Sequence, residues 1–292
     1  MEKTGEKTKS RLADKDIKLP FQKEMDDIKA VLKQIKHKIV IGSGKGGVGK
    51  STVVANLAAS LAAQNLAVGI LDIDITGPSI PKLLDMNGQH PEVVPGEEKF
   101  IPLAGPLNIK VMSMAFLLEN TDTPVIWRGP MKSSAIRQFI KQCTWGQLDY
   151  LIIDLPPGTG DEVLEIMQLI EDAVVIIVTT PQEVAMSVSR KTLVMAKQMK
   201  RQILGIIENM SGLIIKCPHC NEIIRTDLFG AGGGQQAATE LDVPLLGKIP
   251  IEQQVRELGD AGLPFVIKDP NAESTKVFEE ITKKIRKQLE SQ

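Results

Sequence analysis

Six short apolar runs alternate along the chain with longer segments of helical character. Nearly every residue in these runs is aliphatic or β-branched, and the runs cover residues 39–41, 68–71, 151–154, 174–178, 203–207 and 243–246. Strands that are apolar at almost every position are buried on both faces, as in a parallel sheet with helices on both sides. The sequence therefore predicts an α/β fold with a mostly parallel sheet.

The charge balance and the low aromatic content argue against several classes of function. The 292 residues carry 35 Lys and Arg against 36 Asp and Glu, and only 3% are aromatic. Non-specific nucleic-acid binding needs a strongly basic surface, and single-strand binding needs aromatic side chains on which bases stack. We therefore expect no nucleic acid among the partners.

Cysteine content and the length of the apolar runs indicate the compartment. Three cysteines in a chain of this length cannot form a dense disulfide framework, which favours a reducing environment. The longest apolar run, residues 173–178, is far shorter than the roughly 18 residues of a membrane span, and the charged N-terminal segment lacks a signal-peptide core. We expect a cytoplasmic protein without a membrane partner.

The distribution of charge predicts the domain organisation. Ten of the first eighteen residues are charged, so we expect residues 1–22 to form a disordered charged tail. Residues 23–292 are predicted to form a single domain, opened by an amphipathic helix over residues 23–38. The Pro- and Gly-rich stretch at 86–105 is predicted to be a surface excursion from that domain.

A glycine-rich segment joins the first predicted strand to a predicted helix at residues 53–63. It fits the pattern G-x-x-x-x-G-K-[ST] and consists of Gly44, Lys45, Gly46, Gly47, Val48, Gly49, Lys50, Ser51 and Thr52. Its backbone N–H groups and the helix N-terminus suit the phosphates of a nucleotide, Lys50 suits the β and γ oxygens, and Ser51 suits Mg²⁺. A second lysine, Lys45, is unusual in such a loop and would lie near the same phosphates.

Two acidic residues follow predicted strands and are expected at the same edge of the sheet. Asp74 comes just after the second strand, and Asp154 ends the third. In parallel sheets this carboxyl edge is where ligands bind. We predict that Asp154 holds Mg²⁺, that Asp74 orients the attacking water, and that Gly158 offers its N–H to the γ-phosphate. The predicted catalytic residues are thus Lys45, Lys50 and Asp74.

A Cys-Pro-His-Cys turn, Cys217 to Cys220, lies between two β-type arms in a predicted hairpin at about residues 213–225. Two thiolates are half of the four ligands that zinc or an iron–sulfur cluster commonly takes, and a two-fold dimer would supply the other half. From these residues alone, zinc and iron–sulfur are equally favoured. A redox thiol pair is a weaker alternative because such pairs usually open a helix, and two inert cysteines are weaker still.

Several longer blocks carry a closer resemblance. The loop resembles the deviant Walker A signature of the ParA/MinD-like ATPases, and the chain as a whole resembles the Mrp (ApbC) family of iron–sulfur cluster carrier ATPases. The blocks are DIDITGPS at 72–79, WRGPM at 127–131, DLPPGTGD at 154–161, TTPQEVAMS at 179–187, ENM at 208–210 and FGAGGG at 229–234.

This resemblance implies a SIMIBI-like P-loop NTPase that binds and slowly hydrolyses ATP with Mg²⁺. It further implies a homodimer that holds a transferable [4Fe-4S] cluster on Cys217 and Cys220, receives it from a donor and passes it to apoproteins. In this family pattern, Lys45 reaches the nucleotide of the partner subunit, Asn209 contacts adenine, and Pro250 lies in the loop that lines the base.

Two other classes of function remain open at this point. A ParA/MinD-type positioning ATPase acting on DNA or membrane would share the loop but has no use for the cysteine pair. A biosynthetic ligase on the same fold would need an acid or base of its own, for which the sequence shows no motif.

Overall fold

Parallel strand pairing organises the fold. The computed structural model describes residues 20–75, 77–117, 129–217, 219–220 and 222–291, so most of the predicted tail lies outside the described residues. The strands are β1 (Ile35–Ser43), β2 (Val68–Asp72), β3 (Glu92–Val93), β4 (Phe100–Ile101), β5 (Leu103–Ala104), β6 (Lys110–Ser113), β7 (Leu148–Asp154), β8 (Val174–Thr179), β9 (Gln202–Glu208), β10 (Leu213–Lys216), β11 (Ile223–Thr226) and β12 (Leu245–Lys248).

Helices connect most of these strands. They are α1 (Pro20–Leu32), α2 (Lys50–Ala62), α3 (Ile80–Leu83), α4 (Gly129–Gln142), α5 (Asp161–Leu169), α6 (Glu183–Gln198), α7 (Gly233–Glu240), α8 (Gln253–Asp260), α9 (Phe265–Lys268) and α10 (Glu273–Glu290). Two short 3₁₀ turns flank β6, at Pro106–Asn108 and Met114–Leu117.

The central sheet has the order β12-β9-β8-β1-β7-β2-β6-β5 within the described ranges. All of its neighbouring strands pair in parallel except β5, which is antiparallel to β6. Separate antiparallel pairs are formed by β3 with β4 and by β10 with β11. The predicted α/β fold with a mostly parallel sheet is confirmed.

The sheet is buried on both faces, which explains its continuously apolar strands. In β1, Ile39 and Ile41 point into one core and Val40 points into the other, and all three are fully buried. The first core is completed by α2, α9 and α10, and the second by α1 and by α4 to α7. Because α10 buries Phe278, Ile281 and Ile285 against this layer, the C-terminal helix is docked on the sheet.

The helix predicted over residues 23–38 is wrong in its last six residues. The structure ends α1 at Leu32 and begins β1 at Ile35, which pairs with Leu148 of β7. Ile28 and Leu32 do form the buried face of the helix. Ile35 follows Leu32 at a helical spacing but is buried as the first residue of a strand. The helical spacing of apolar residues therefore continues past the end of the helix.

Other boundaries also differ from the sequence prediction. The last strand was expected over residues 243–246, whereas β12 begins at Leu245. The difference arises because the Val243 N–H closes the end of α7 on Ala238, and the Pro244 carbonyl accepts the Ile206 N–H from the neighbouring strand. The helix expected over 53–63 begins earlier, at Lys50.

Two strands of the central sheet, β5 and β6, were missed altogether. β6 lies beside β2 with its two central residues fully buried, but it has only four residues and begins with a lysine. The predicted excursion at 86–105 precedes it and contains the short strands β3, β4 and β5. These strands are too short to give a sequence pattern.

A substitution at Gly205 tests how closely β9 approaches the segment that leads into β12. A Cβ at this position would lie 2.4 Å from the Pro244 carbonyl oxygen, and the residue has a φ of +152°. We expect Gly205→Ala to destabilise the fold by about 3 kcal/mol in urea denaturation, since a backbone atom cannot move aside as a flexible side chain does.

The matched control is Gly88→Ala, at a φ of +71° with no atom within 4 Å of the new Cβ. In this variant only the left-handed backbone is strained, so we expect its free energy of unfolding to fall by about 1 kcal/mol. Equal losses in the two variants would contradict the close approach at Gly205.

Candidate nucleotide cleft and cysteine hairpin

The glycine-rich loop forms one wall of a cavity of about 320 Å³ at the carboxyl ends of β1 and β2. Its lining includes every loop residue from Lys45 to Thr52, together with Asp74, Gly77 and Pro157. Nearly all the residues predicted to handle phosphate or water are therefore brought to one place. We call this cavity the phosphate cavity.

The loop needs glycine where the backbone turns into α2. Gly49 caps the helix in the left-handed conformation, with a φ of +77°. A Cβ on Gly49 would also lie 2.3 Å from the Nδ2 atom of Asn209. That amide nitrogen donates a hydrogen bond of 2.9 Å to the Val48 carbonyl, so Asn209 fixes the loop from the far side.

Asp154 lies at the centre of the site and is fully buried. Its two carboxylate oxygens accept hydrogen bonds from the Lys50 ammonium and, at 2.5 Å, from the Ser51 hydroxyl. Burial raises the pKa of Asp154, and the Lys50 charge and the two hydrogen bonds oppose that shift. Carboxylate and hydroxyl oxygens are the donors that Mg²⁺ prefers, so Ser51 and Asp154 fit this ion.

A second buried carboxyl, Asp72, lies beside Asp154 in the register of β2 and β7. Burial and the negative charge of Asp154 raise the pKa of Asp72 to about 8, against the opposing effect of hydrogen bonds from Ser113 and the Asp74 N–H. Asp72 therefore holds the backbone of Asp74. Asp74 itself lines the phosphate cavity and accepts the Gly77 N–H at 3.3 Å.

Lys45 and Gly158 have partners within the chain. The Lys45 ammonium donates to the side-chain oxygen of Gln182, at 3.1 Å, and the Lys45 carbonyl accepts the Ser43 hydroxyl. The Gly158 N–H donates to the Ser43 carbonyl at 2.8 Å. To reach a γ-phosphate, that N–H would first have to leave Ser43, so the structure does not place Gly158 as a ready phosphate donor.

A second, more apolar cavity of about 280 Å³ adjoins the first. The two share Gly49, Thr52, Leu83, Gly259 and Asp260 in their linings, so they form one continuous cleft. This second cavity, which we call the base cavity, is lined by Asn209, predicted to contact adenine, and by Pro250, predicted to lie in the loop that lines the base. A nucleotide with its phosphates on the loop would direct its base here.

Sequence reasoning missed the apolar walls of the base cavity. Val255, Phe265 and Phe278 come from three separate helices and carry no local motif. Glu208 was also missed, although it directly precedes Asn209. It is fully buried and accepts the Ser211 hydroxyl and the Gly234 N–H, and in this way it joins the ENM and FGAGGG blocks.

The cysteine pair lies at the tip of the antiparallel hairpin of β10 and β11. Both thiols are free; Cys217 is partly exposed and Cys220 is exposed. The Cys217 N–H donates to the Glu222 carbonyl at 2.8 Å and closes the turn. Backbone N–H groups of Cys220 and His219 lower the pKa of the Cys217 thiol, which favours the thiolate that binds metals.

The third cysteine is not part of this site. Cys143 is buried directly after α4, and burial raises the pKa of its thiol. Among the described residues, no group of three or more His, Cys, Asp or Glu side chains is placed to hold a metal ion. Thr76, Trp127, Arg128 and Pro218, which belong to the motifs, fall outside the described residues.

Comparison with known proteins identifies the family. The family model of the ParA group described as NUBPL iron-transfer P-loop NTPase matches residues 34–286. The chain belongs to this family. The predicted resemblance to iron–sulfur carrier ATPases of the ParA/MinD-like group is thereby confirmed.

Similar proteins carry matching names. An iron-sulfur cluster carrier protein of Methanocaldococcus jannaschii is 49% identical over 284 residues, which cover 97% of this chain and 92% of that protein. The iron-sulfur cluster transfer protein NUBPL of Dictyostelium discoideum is 43% identical, over 90% of this chain and 79% of that one.

Solved structures support the same fold. A nucleotide-binding protein of Archaeoglobus fulgidus, in complex with ADP and with Co found in it, has a TM-score of 0.73 and 40% identity, over 87% of this chain and 96% of that one. The cell division ATPase MinD of Pyrococcus furiosus, at 23% identity and a TM-score of 0.63 over 87% of this chain and 99% of that one, shares the fold. Within the described ranges, no helix is long and apolar enough to cross a bilayer.

The buried Asp72 carboxyl makes stability depend on pH. An unfolded Asp ionises near pH 4, so between about pH 4 and pH 8 ionisation favours the unfolded chain, and the stability present at low pH is lost as the pH rises. Asp72→Asn keeps an oxygen acceptor but cannot ionise. We expect the unfolding free energy of this variant, relative to the parent protein, to rise by about 3 kcal/mol between pH 5 and pH 8.

Urea denaturation at several pH values measures this difference. Asp85→Asn, at an exposed carboxyl, is the matched control and should show no such trend. A constant difference between Asp72→Asn and the parent protein across this range would contradict the protonated state of Asp72.

Proposed function

We propose that this protein is an ATP-binding and ATP-hydrolysing carrier of a [4Fe-4S] cluster, which two copies hold between them and pass to apoproteins. The observation that carries the proposal is that one chain combines the phosphate cavity, lined by the glycine-rich loop, with two free thiols on an exposed hairpin. The names of relatives at 43–49% identity support the cargo, and ADP in the Archaeoglobus structure supports the nucleotide.

The phosphate cavity suggests how the chain would bind ATP. Lys50 is held at the loop by Asp154, and its ammonium would also serve the β and γ oxygens. The N–H groups at the start of α2 offer positive potential to the same oxygens. Ser51 and Asp154 would hold Mg²⁺, which when bound neutralises part of the phosphate charge.

Hydrolysis would depend on Asp74 and Lys45. Asp74 lines the phosphate cavity on a backbone held by Asp72, and there it would orient the attacking water. Lys45 would have to leave Gln182 to add a second positive charge at the phosphates, its own or those of a partner subunit. This requirement supports slow hydrolysis in a single chain.

The cysteine hairpin would hold the cargo. Cys217 and Cys220 supply two thiolates per chain, and a two-fold dimer brings four together, the usual number for a [4Fe-4S] cluster. A cluster donor would load the site and apoproteins would receive from it. The proposal needs neither nucleic acid nor membrane as a partner, and the cytoplasmic location stays a prediction.

Anaerobic reconstitution with iron and sulfide tests the cargo. We expect about four iron and four sulfide per two chains in the parent protein, together with a dimer by size-exclusion chromatography. Cys217→Ser should lose the cluster because two chains then offer two thiolates. The matched control is Cys143→Ser, which should keep it because Cys143 is buried elsewhere.

Two results would contradict this assignment. A full cluster in Cys217→Ser would exclude the proposed ligands. Zinc bound tightly without any uptake of sulfide would make the hairpin a zinc site instead.

Asp74→Asn tests the ATPase chemistry. We expect ATP hydrolysis to slow by about 10²-fold or more while ATP affinity changes little, because Asp74 acts on the water rather than on the phosphates. Asp85→Asn is the matched control and should hydrolyse ATP normally. Hydrolysis at the parent rate in Asp74→Asn would remove Asp74 from the mechanism.

A further inference from the structure

We propose that the base loop, residues 249–252, couples the base cavity to the cysteine hairpin, so that a bound nucleotide changes the metal affinity of Cys217 and Cys220. The coupling rests on the proposed function, because it requires a nucleotide in the cleft and a metal on the thiols. The connection between nucleotide and cysteines thus lies at the base end of the cleft, away from the phosphates.

One side of the base loop faces the nucleotide. All four of its residues line the base cavity, next to Asn209 and Met210 at the end of β9. A base that fills this cavity would therefore set the position of the loop. The loop is fixed to β9 by the Ile249 N–H, which donates to the Glu208 carbonyl at 2.8 Å.

The other side of the base loop is bonded to the root of the cysteine hairpin. The Ile251 N–H donates to the Gly212 carbonyl at 2.7 Å, and the Ile214 N–H donates to the Ile251 carbonyl at 3.0 Å. Leu213 and Ile251 form a parallel bridge. The loop thus extends the hairpin sheet at the outer edge of β10, and Cys217 comes directly after this strand.

A second connection reaches the other arm of the hairpin through α10. The Glu252 carboxylate accepts the Ser274 N–H at 2.7 Å and the Glu273 N–H at 3.4 Å, which caps the start of that helix. The Glu273 carboxylate in turn pairs with Arg225 of β11 at 2.6 Å. Both arms that carry the cysteines are therefore attached to the loop that lines the base.

The hairpin can transmit a displacement because it is short and closed at both ends. Four residue pairs join β10 to β11, and the Cys217 N–H bond to Glu222 closes the tip. Met210 and Gly212 have left-handed backbones, with φ of +57° and +83°, and set the direction in which β10 leaves β9. A shift of the base loop would therefore tilt the hairpin as a unit and move its two thiols.

Thermodynamic linkage gives the measurement. If a nucleotide changes metal affinity by some factor, the metal must change nucleotide affinity by the same factor. Co²⁺ is the probe, titrated anaerobically through its thiolate absorption with and without saturating ADP. ADP affinity is measured by calorimetry with and without saturating Co²⁺. In the parent protein we expect ADP to change Co²⁺ affinity, and Co²⁺ to change ADP affinity, by the same factor of about 5 or more, which we call the coupling factor.

Ile214→Pro cuts the backbone route, since it removes the N–H that donates to Ile251, and this N–H is not part of the bonding to β11. The matched control is Ile214→Ala, which keeps the N–H and shortens the same side chain. We expect the coupling factor to fall by about twofold or more in Ile214→Pro, in which the ion pair of Arg225 and Glu273 remains, and to persist in Ile214→Ala. ADP affinity in the absence of metal should be unchanged in both variants.

Arg225→Gln supplies a second variant that leaves the backbone intact. It breaks the ion pair with Glu273 and should lower the coupling factor by about twofold or more. Its matched control is Arg286→Gln, which removes a cation paired with Glu290 near the opposite end of α10 and should leave the factor unchanged. If Ile214→Pro fails to bind ADP, the Arg225→Gln result decides.

The outcomes separate the coupling from the proposed function. If the parent protein binds both ADP and Co²⁺ but neither changes the affinity for the other, the coupling alone is overturned. Retention of the full factor in Ile214→Pro, or in Arg225→Gln where that variant decides, would overturn the assigned route. A parent protein that binds no ADP, or no Co²⁺ through its thiols, would overturn the proposed function itself.

Discussion

The buried ion pair of Lys50 and Asp154 is the interaction on which the site depends. The partners are 104 residues apart in the chain, and both charges are removed from water where α2 meets the end of β7. A buried charge is costly unless it is paired and hydrogen-bonded. The pair therefore fixes the first turn of α2 against the sheet, and the glycine-rich loop is held in shape between β1 and that turn.

A buried pair of this kind is weak evidence for stability, since apolar side chains of similar size often serve a fold as well. Its position points to function instead. Asp154 has Asp72 as a second carboxyl neighbour, and burial together with the charge of Asp154 raises the pKa of Asp72, so two adjacent carboxylate charges are unfavourable here. Cations at the same edge, from Lys50 or from Mg²⁺, are compatible with it.

Local patterns in the sequence were enough to predict the parallel sheet and the phosphate cavity. Strands buried on both faces are apolar throughout, and the glycine-rich loop has a fixed spacing because backbone groups must surround phosphates. Asp74 and Asp154 were found because parallel strands end at one edge. The family resemblance added Asn209 and Pro250, which the structure places in one cavity.

The features that sequence did not predict depend on distant parts of the chain. β6 is buried because it lies inside the sheet between β2 and β5, and its four residues are too few for a periodic signal. Ile35 follows a helical spacing but belongs to a strand because Leu148 pairs with it. The walls of the base cavity and the contacts of the base loop join residues from several helices and loops, so no window of sequence contains them.

The position of β1 also has a consequence for synthesis of the chain. Its two neighbours in the sheet are β7 and β8, which begin at Leu148 and Val174. A nascent chain that ends before residue 148 therefore carries the whole glycine-rich loop but neither flanking strand and no Asp154. Pairings of such long sequence separation form late in folding. The emerging loop thus has no fixed shape with which to capture a nucleotide until more than half of the protein has left the ribosome.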